Sequence, residues 1–210
     1  MIASLPDQIY TRLLNQILSE DLKPGQRIVE LEIAARMGTS QGPVREALQR
    51  LEKEGLVEKR PRSGTFISEI PEEDIRDLFL IRSLVEKRAI TRTARLIQPA
   101  QLAELQRLVE RMHAAARQDD LLTLAELDMD FHFRICAWSG SSSLVRAWLP
   151  LYLPIRRYVT QNHRRHFQNL ADIASLHEPI IASLREGNPE KAAQGIEDHI
   201  LLIIRQNQQN

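Results

Sequence analysis

Residues 40–51, SQGPVREALQRL, decide how the N-terminal part of the chain folds. Their apolar side chains recur three and four residues apart, the spacing that places them on one face of a helix. Ser40 suits the N-cap position, and Pro43 is tolerated in the first turn because amides there have no intrahelical partner. The segment is therefore predicted to be an amphipathic helix that begins at Ser40 and ends at Gly55.

The segments around this helix predict a small domain of three helices and a hairpin. Helical periodicity runs from Leu5 to Leu18 and again from Leu31 to Met37, with Gly38 as a left-handed cap. After the third helix, residues 56–60 and 65–67 have the character of two strands joined by a turn. Helix, helix, turn, helix and hairpin in this order form a winged helix-turn-helix.

The rest of the chain is predicted to be an all-helical antiparallel bundle. Pro71 and the acidic residues after it suit the start of a new helix, so we expect a DNA-binding domain over 1–70 and a second domain over 71–210. The fold class is thus mainly α, with β structure only in the wing. The predicted helices of the bundle are 72–97, 100–118, 121–139, 143–165, 168–186 and 189–207.

Composition excludes several classes of protein. The 210 residues are 43% hydrophobic, and none of their apolar runs approaches the ~20 residues of a membrane span. The N-terminus lacks the pattern of an export signal, so we expect a cytoplasmic protein with no membrane partner. A single cysteine, Cys136, excludes an internal disulfide. Net charge is zero, but the segment from Arg36 to Arg62 is locally basic.

That basic segment supplies the candidate contacts to double-stranded DNA. Short polar side chains and an arginine at the leading end of a helix suit base edges in the major groove, which applies to Ser40, Gln41 and Arg45. The remaining basic residues are expected on the phosphate backbone. These are Arg36, Lys59, Arg60 and Arg62, with Ser63 and Gly64 at the tip of the wing.

Three histidines and one aspartate form a candidate metal site in the helical domain. Asp128 and His132 lie four residues apart on one helix face, a spacing that equally suits a surface hydrogen bond. His177 and His199 lie in the last two predicted helices, which the turn at 187–189 should bring together. Such a donor set suits a divalent transition metal, namely zinc, nickel, iron or manganese, with one or two positions left open.

Residues 22–67 resemble the winged helix of the GntR family of regulators. The resemblance implies a homodimer that docks two recognition helices on a pseudo-palindromic operator and places the wing tip in the minor groove. This chain has Gln41 and Gly42 where members often carry arginine and threonine, so the usual base contact does not carry over. The matching segments are LKPG at 22–25, SQGPVREAL at 40–48 and LEKEGL at 51–56, together with Gly64.

Residues 72–205 resemble the FCD domain, the ligand-binding domain of the FadR subfamily. The motifs are LDMDFH at 127–132, HEPI at 177–180 and DH at 198–199. The resemblance implies that Asp128, His132, His177 and His199 hold a metal and that a small carboxylate effector binds on or beside it. It also implies that residues 71–210 form the dimerisation domain of the homodimer.

Two neighbours of these motifs have alternative roles. Arg82 resembles an arginine of the first helix of the FCD domain and is a candidate for the effector carboxylate. An ion pair with Glu86, four residues later, is the alternative. Asp130 faces away from Asp128, is not a ligand, and is spaced to pair with Arg134.

Together these features predict a DNA-binding transcriptional regulator, a repressor without enzymatic activity, whose operator binding responds to a small carboxylate at a metal site. One alternative is a metal-dependent hydrolase fused to a DNA-binding domain, with Glu178 the only near candidate for a general base. A second alternative is a regulator whose metal is purely structural or is itself the signal.

Overall fold

The computed structural model describes residues 4–207, apart from the side chains of 166, 206 and 207, and the chain divides into two compact units between Pro71 and Glu72. Over these residues the first unit is a winged helix-turn-helix and the second is entirely helical. The predicted fold class is therefore confirmed. No helix within the described range has the length and apolarity needed to cross a membrane.

Three helices form the core of the first unit. Helix α1 is Leu5–Leu18, α2 is Glu30–Arg36 and α3 is Gln41–Lys53. Helix α1 packs against α3, because their buried stripes face each other. The side chains of these stripes are Ile9, Leu13, Leu14, Ile17 and Leu18 on α1 and Val44, Ala47, Leu48 and Leu51 on α3.

The wing has three strands, whereas the sequence predicted two. Strands β1 (Arg27–Ile28), β2 (Val57–Arg60) and β3 (Gly64–Ile67) form an antiparallel sheet in the order β1-β3-β2. The two-residue strand β1 pairs with the edge of β3 that the hairpin would otherwise leave open. Sequence periodicity missed β1 because two residues are too few to show an alternation.

Eight α-helices make up the described part of the second unit. Helix α4 packs along α11, and it also contacts α6, α7, α8 and α10. The helices are α4 (Glu72–Leu96), α5 (Pro99–Arg117), α6 (Leu121–Trp138), α7 (Ser142–Trp148), α8 (Tyr152–His166), α9 (Ala171–Ser175), α10 (Glu178–Arg185) and α11 (Pro189–Asn207).

Two of the six predicted helices are each broken in two, so these predictions were wrong in their continuity. The predicted helix 143–165 is interrupted by a 3-10 turn at Leu149–Leu151, where Pro150 cannot donate a backbone hydrogen bond. The predicted helix 168–186 stops at Ser175 and resumes at Glu178. Pro179 would clash with the carbonyl group of residue 175 in a continuous helix. The break leaves His177 at the start of α10.

Candidate metal centre and nucleic-acid interface

The leading end of α3 leaves its polar side chains available. Ser40 occupies the predicted N-cap position with an extended backbone, and its side chain makes no capping hydrogen bond. Gly42 is exposed, and a Cβ atom there would meet only the Ser40 hydroxyl, at 3.8 Å. This turn of the helix is therefore sterically open.

Arg45 forms a hydrogen-bond network with Gln41, another of the three predicted base-reading residues, and with Glu30. Its Nε donates to Glu30 Oε2 at 2.7 Å, and one terminal nitrogen donates to Gln41 Oε1 at 3.0 Å. The Arg45 side chain remains 62% exposed. Sequence reasoning missed Glu30 because nothing in the spacing links the first residue of α2 to the first turn of α3.

The wing carries a second cluster of basic side chains. The Arg60 guanidinium lies 4.5 Å above the centre of the Phe66 ring and pairs with Glu58. Arg62 adopts a left-handed conformation, with φ of 62°, at the exposed tip. Arg27, which the sequence did not single out, lies across the tip, because its Nε would be 3.1 Å from a Cβ atom at Gly64. The other predicted residues Arg36, Lys59 and Ser63 are exposed.

In the helical unit, Asp128, His132, His177 and His199 come together in one cluster. Each offers one ligand atom, and these four atoms all lie within 4.8 Å of one another. Helix α6 supplies Asp128 and His132, the start of α10 supplies His177, and α11 supplies His199. The first three side chains are buried and the fourth is half-buried.

Hydrogen bonds at Nδ1, the ring nitrogen that points away from the cluster, orient two of the imidazoles. His177 Nδ1 lies 2.9 Å from the carbonyl oxygen of Ile173, which only accepts, so Nδ1 carries the proton. His132 Nδ1 lies 2.5 Å from Glu86 Oε2, and a carboxylate fixes the same tautomer. In both rings the Nε2 lone pair consequently faces the cluster.

The ligand atoms are spaced as they would be around a single ion. His132 Nε2 lies 3.1 Å from His199 Nε2, and His177 Nε2 lies 3.1 Å from Asp128 Oδ1 without forming a hydrogen bond. Two ligands about 2.0–2.1 Å from a metal are about 3.0–3.4 Å apart at ordinary coordination angles. A buried imidazole lone pair against a carboxylate oxygen is unfavourable unless a cation lies between them. The residues therefore fit a divalent metal.

The ionisation states of the cluster also suit a metal. Burial lowers the pKa of His132, and burial together with the neighbouring imidazoles lowers the pKa of His199 well below its usual value. Burial opposes ionisation of Asp128, but His177 and His132 hold its pKa well below the ordinary range. Neutral imidazoles and an ionised carboxylate are the forms that bind metal ions.

Glu86 lies at the cluster, a position that the sequence did not predict. It is fully buried and accepts hydrogen bonds from His132 Nδ1, Arg82 Nε at 2.7 Å and Trp148 Nε1 at 2.8 Å. Burial opposes its ionisation, but His132 and Arg82 lower the pKa of Glu86 to about 2. Its helical phase with the buried residues Phe79 and Arg82 was the signal that could have placed it inside.

Arg82 is only 3% exposed and forms the ion pair with Glu86 that was its alternative role. One terminal nitrogen of the same guanidinium has no hydrogen-bond partner among the described residues and lies 4.0 Å from Asp128 Oδ2. A buried donor without a partner costs free energy, so a ligand that accepts from it would be stabilised. The ion pair thus leaves Arg82 free to bind a carboxylate as well.

A pocket adjoins the cluster, and Arg82 is one of its lining residues. The space within its outline is about 350 Å³ with open solvent included, of which about 20 Å³ can be occupied by the centre of a water molecule. Arg82, Asp128, His163 and His199 form its polar end. Its other lining residues are apolar: Phe79, Val159, Phe167, Ile173, Leu176, Ile200, Leu202 and Ile203.

Two predictions about neighbouring acids can be compared with the contacts. Asp130 pairs with Arg134 at 3.3 Å, which confirms that it points away from the cluster. Glu178, the candidate base of the hydrolase alternative, is 58% exposed and lies 3.6 Å from His113. It is not part of the four-residue cluster.

Comparison with known proteins identifies both units. Residues 5–67 match the family described as bacterial regulatory proteins, gntR family, and residues 77–202 match the FCD domain. The "Probable D-xylose utilization operon transcriptional repressor" of Paenarthrobacter nicotinovorans is 30% identical over 201 residues, or 96% of this chain and 88% of that protein. The HTH-type transcriptional repressor RspR of Escherichia coli K12 is 31% identical over 125 residues, covering 60% of this chain and 55% of RspR.

Solved structures share the fold along the whole chain. Escherichia coli McbR/YncC superimposes with a TM-score of 0.80 at 23% identity over all of both chains. A GntR regulator from Rhodococcus sp. RHA1 superimposes with a TM-score of 0.76 at 24% identity, covering 97% of each chain. These two likenesses concern the fold alone. Because both of its units match by sequence, the chain belongs to the GntR family of bacterial transcriptional regulators and carries an FCD domain.

Proposed function

We propose that this regulator is a metal-dependent, carboxylate-responsive repressor of the FadR subfamily, acting as a homodimer on a pseudo-palindromic operator. The observation that carries the proposal is the buried terminal nitrogen of Arg82, which lacks a hydrogen-bond partner among the described residues and belongs to a side chain that lines a pocket beside the four-residue cluster. It points to a ligand that brings its own negative charge.

The cluster is proposed to hold a divalent transition metal through Asp128, His132, His177 and His199. The ion would supply a Lewis-acidic position for a carboxylate oxygen of the effector. Glu86 would keep the His132 ring in its ligating tautomer through the hydrogen bond at Nδ1.

The effector is proposed to be a small carboxylate with an apolar remainder. Arg82 would bind the carboxylate end of the effector, since a guanidinium with one free edge can still donate hydrogen bonds to it. Most of the other lining residues are apolar, so extra hydroxyl or carboxyl groups would lose water without gaining hydrogen bonds. A short aliphatic or aromatic monocarboxylate suits the pocket better than a sugar acid.

The DNA contacts are proposed to follow the exposed polar residues of the first unit. Gln41 and Arg45 would bind base edges, and the arginines and lysine of the wing would bind phosphates and the minor groove. Helix α4 starts directly after the wing in the chain and bears both Arg82 and Glu86. An effector that engages Arg82 would therefore bias the first helix of the second unit, which follows the wing in the chain.

A thermal-shift screen on purified, metal-quantified protein tests this proposal. Stoichiometric metal and stabilisation by one apolar monocarboxylate are expected for the wild type, and neither for His177→Ala. Arg82→Lys, which keeps a positive charge but lacks the guanidinium fork, should bind metal and lose the response to the acid. Bound metal without a response to any carboxylate would contradict the proposal and favour a structural or sensed metal.

A further inference from the structure

The outer face of the wing carries an arginine that the sequence did not single out. Strand β1 pairs Arg27 directly with Phe66 of β3, and β2 pairs Arg60 directly with Gly64 of β3. Residues directly opposite each other in a sheet, and residues two apart along a strand, project from the same face. These four residues therefore share one face of the wing, and the buried Ile28 lies on the other face.

Gly64 leaves room for the Arg27 guanidinium. A Cβ atom at position 64 would lie 3.1 Å from Arg27 Nε, which is closer than an ordinary van der Waals contact. The φ angle of Gly64 is 116°, a conformation that other residues rarely adopt. The absence of a side chain at Gly64 thus lets the guanidinium lie against the backbone just behind the tip of the hairpin.

Arg27 and Arg60 differ in their partners, although they share this face. Arg60 Nε donates to Glu58 Oε1 at 2.8 Å, and the Arg60 guanidinium lies 4.5 Å above the centre of the Phe66 ring. Arg27 is exposed, and its side chain forms no hydrogen bond or ion pair with any residue that the structure describes. The positive charge of Arg27 is therefore available to a ligand of opposite charge.

We propose that Arg27 enters the minor groove of the operator and responds to its width, so that the protein prefers A·T base pairs next to the positions that α3 contacts. A narrow, A·T-rich minor groove has an enhanced negative potential that attracts arginine side chains. A guanidinium is more weakly hydrated than the ammonium group of a lysine, so it loses less water on entering a groove about 6 Å wide. Gly64 keeps the wing thin beside this guanidinium.

This inference rests on the proposed function only in assuming that α3 binds the major groove and that the wing reaches the minor groove. It adds a source of operator specificity that lies outside α3. The base pairs A·T and T·A present the same acceptors in the minor groove, so a side chain there does not distinguish them. The preference is therefore for A·T composition and not for one order of bases.

The first test uses duplexes with one common operator core, obtained by selection from random DNA with the full-length protein, and a variable adjoining segment. The segment consists of A·T, G·C or inosine·cytosine pairs. An inosine·cytosine pair lacks the minor-groove amino group of guanine but keeps the major-groove pattern of G·C. Fluorescence anisotropy should show that the wild type binds the A·T and inosine·cytosine duplexes about tenfold more tightly than the G·C duplex. Equal affinity for all three duplexes, or an inosine·cytosine duplex that behaves like G·C, would overturn the inference.

Variants at position 27 separate entry into the groove from a contact with phosphates. Arg27→Ala and Arg27→Lys should each bind the three duplexes with affinities within about twofold of one another, because a charge alone does not replace the guanidinium. Lys59→Ala is the matched control, since Lys59 is an exposed cation that the register places on the opposite face of the wing. It should weaken binding to all three duplexes equally and keep the preference. A preference that either variant at position 27 retains would contradict the proposed role of Arg27.

The selection step separates this inference from the proposed function. If no sequence is enriched over random DNA, both the DNA-binding part of the proposed function and the role of Arg27 are wrong. If a core is enriched but the adjoining segment has no effect on affinity, only the role of Arg27 is wrong. Arg27→Ala should keep the metal content of the wild type, because Arg27 lies in the first unit and the four-residue cluster lies in the second.

Discussion

Both units of this regulator contain an arginine paired with a glutamate, but the two pairs lie in opposite environments. Arg45 and Glu30 in the winged helix have side chains that are 62% and 29% exposed, whereas Arg82 and Glu86 are 3% and 0% exposed. An exposed pair contributes at most ~1 kcal/mol and can exchange partners. A buried pair must keep its partners, because an unpaired charge there costs several kcal/mol. The exposed pair of Arg45 and Glu30 therefore suits an adjustable DNA contact. The buried pair of Arg82 and Glu86 suits a preorganised ligand site.

Removal of the buried carboxylate charge should give the largest effect. Glu86→Gln removes the nearer of the two carboxylates beside the Arg82 guanidinium, the other being Asp128 at 4.0 Å, and should lower the free energy of unfolding by about 3–5 kcal/mol. Urea denaturation with a chelator present measures this without a contribution from metal. Glu30→Gln, the matched change at the exposed pair, should alter the same quantity by less than ~1 kcal/mol. Equal losses of unfolding free energy in the two variants would show that burial does not account for a difference between the two ion pairs.

Loss of a ligand should abolish stabilisation by metal. Excess metal at about 100 times its dissociation constant should stabilise the wild type by about 2.7 kcal/mol, and His177→Ala should lose this gain. Differential scanning calorimetry with and without added zinc measures the difference. His113→Ala, which changes a histidine outside the cluster, should keep the full gain. If His177→Ala kept the stabilisation by metal, the metal would have to bind at another site.

Truncation of the exposed arginine should affect DNA binding but not stability. Arg45→Ala should cost about 1–3 kcal/mol of operator affinity and relax sequence preference. Arg62→Ala should instead weaken binding to all sequences and reduce the salt dependence by about one phosphate contact. Fluorescence anisotropy over a salt series distinguishes the two. Uniform weakening by Arg45→Ala would assign it to the phosphate backbone.

The smallest effect concerns the acid that pairs with Arg45. Glu30→Gln frees Arg45 from its carboxylate, so DNA affinity at low salt should rise about threefold through reduced competition with the phosphates. Gel-shift titration at two salt concentrations measures this rise, which should shrink at the higher salt. A decrease in affinity would mean that Glu30 holds Arg45 in its binding orientation.

The sequence predicted the helices that show hydrophobic periodicity and the residues that lie in recognisable motifs. Helix α3 was predictable because its apolar stripe and Gly55 are local signals. The four-residue cluster was predictable because its residues lie in the motifs that resemble the FCD domain. Glu86 was seen only as a partner of Arg82, because its contact to His132 joins residues 46 positions apart. Strand β1 was missed because it depends on a tertiary pairing, and long-range contacts of this kind leave no periodic signal. The break before His177 has a local cause in Pro179, which the helical periodicity of residues 168–186 outweighed in the prediction.

The most direct test of metal-dependent control is operator affinity measured by anisotropy with and without the carboxylate from the thermal-shift screen. Wild-type protein loaded with metal should change its dissociation constant at least tenfold on addition of the acid. Chelated protein and metal-loaded Arg82→Lys should show no such change. An equal response to the acid in chelated protein, or a response to metal alone with none to any acid, would contradict the account.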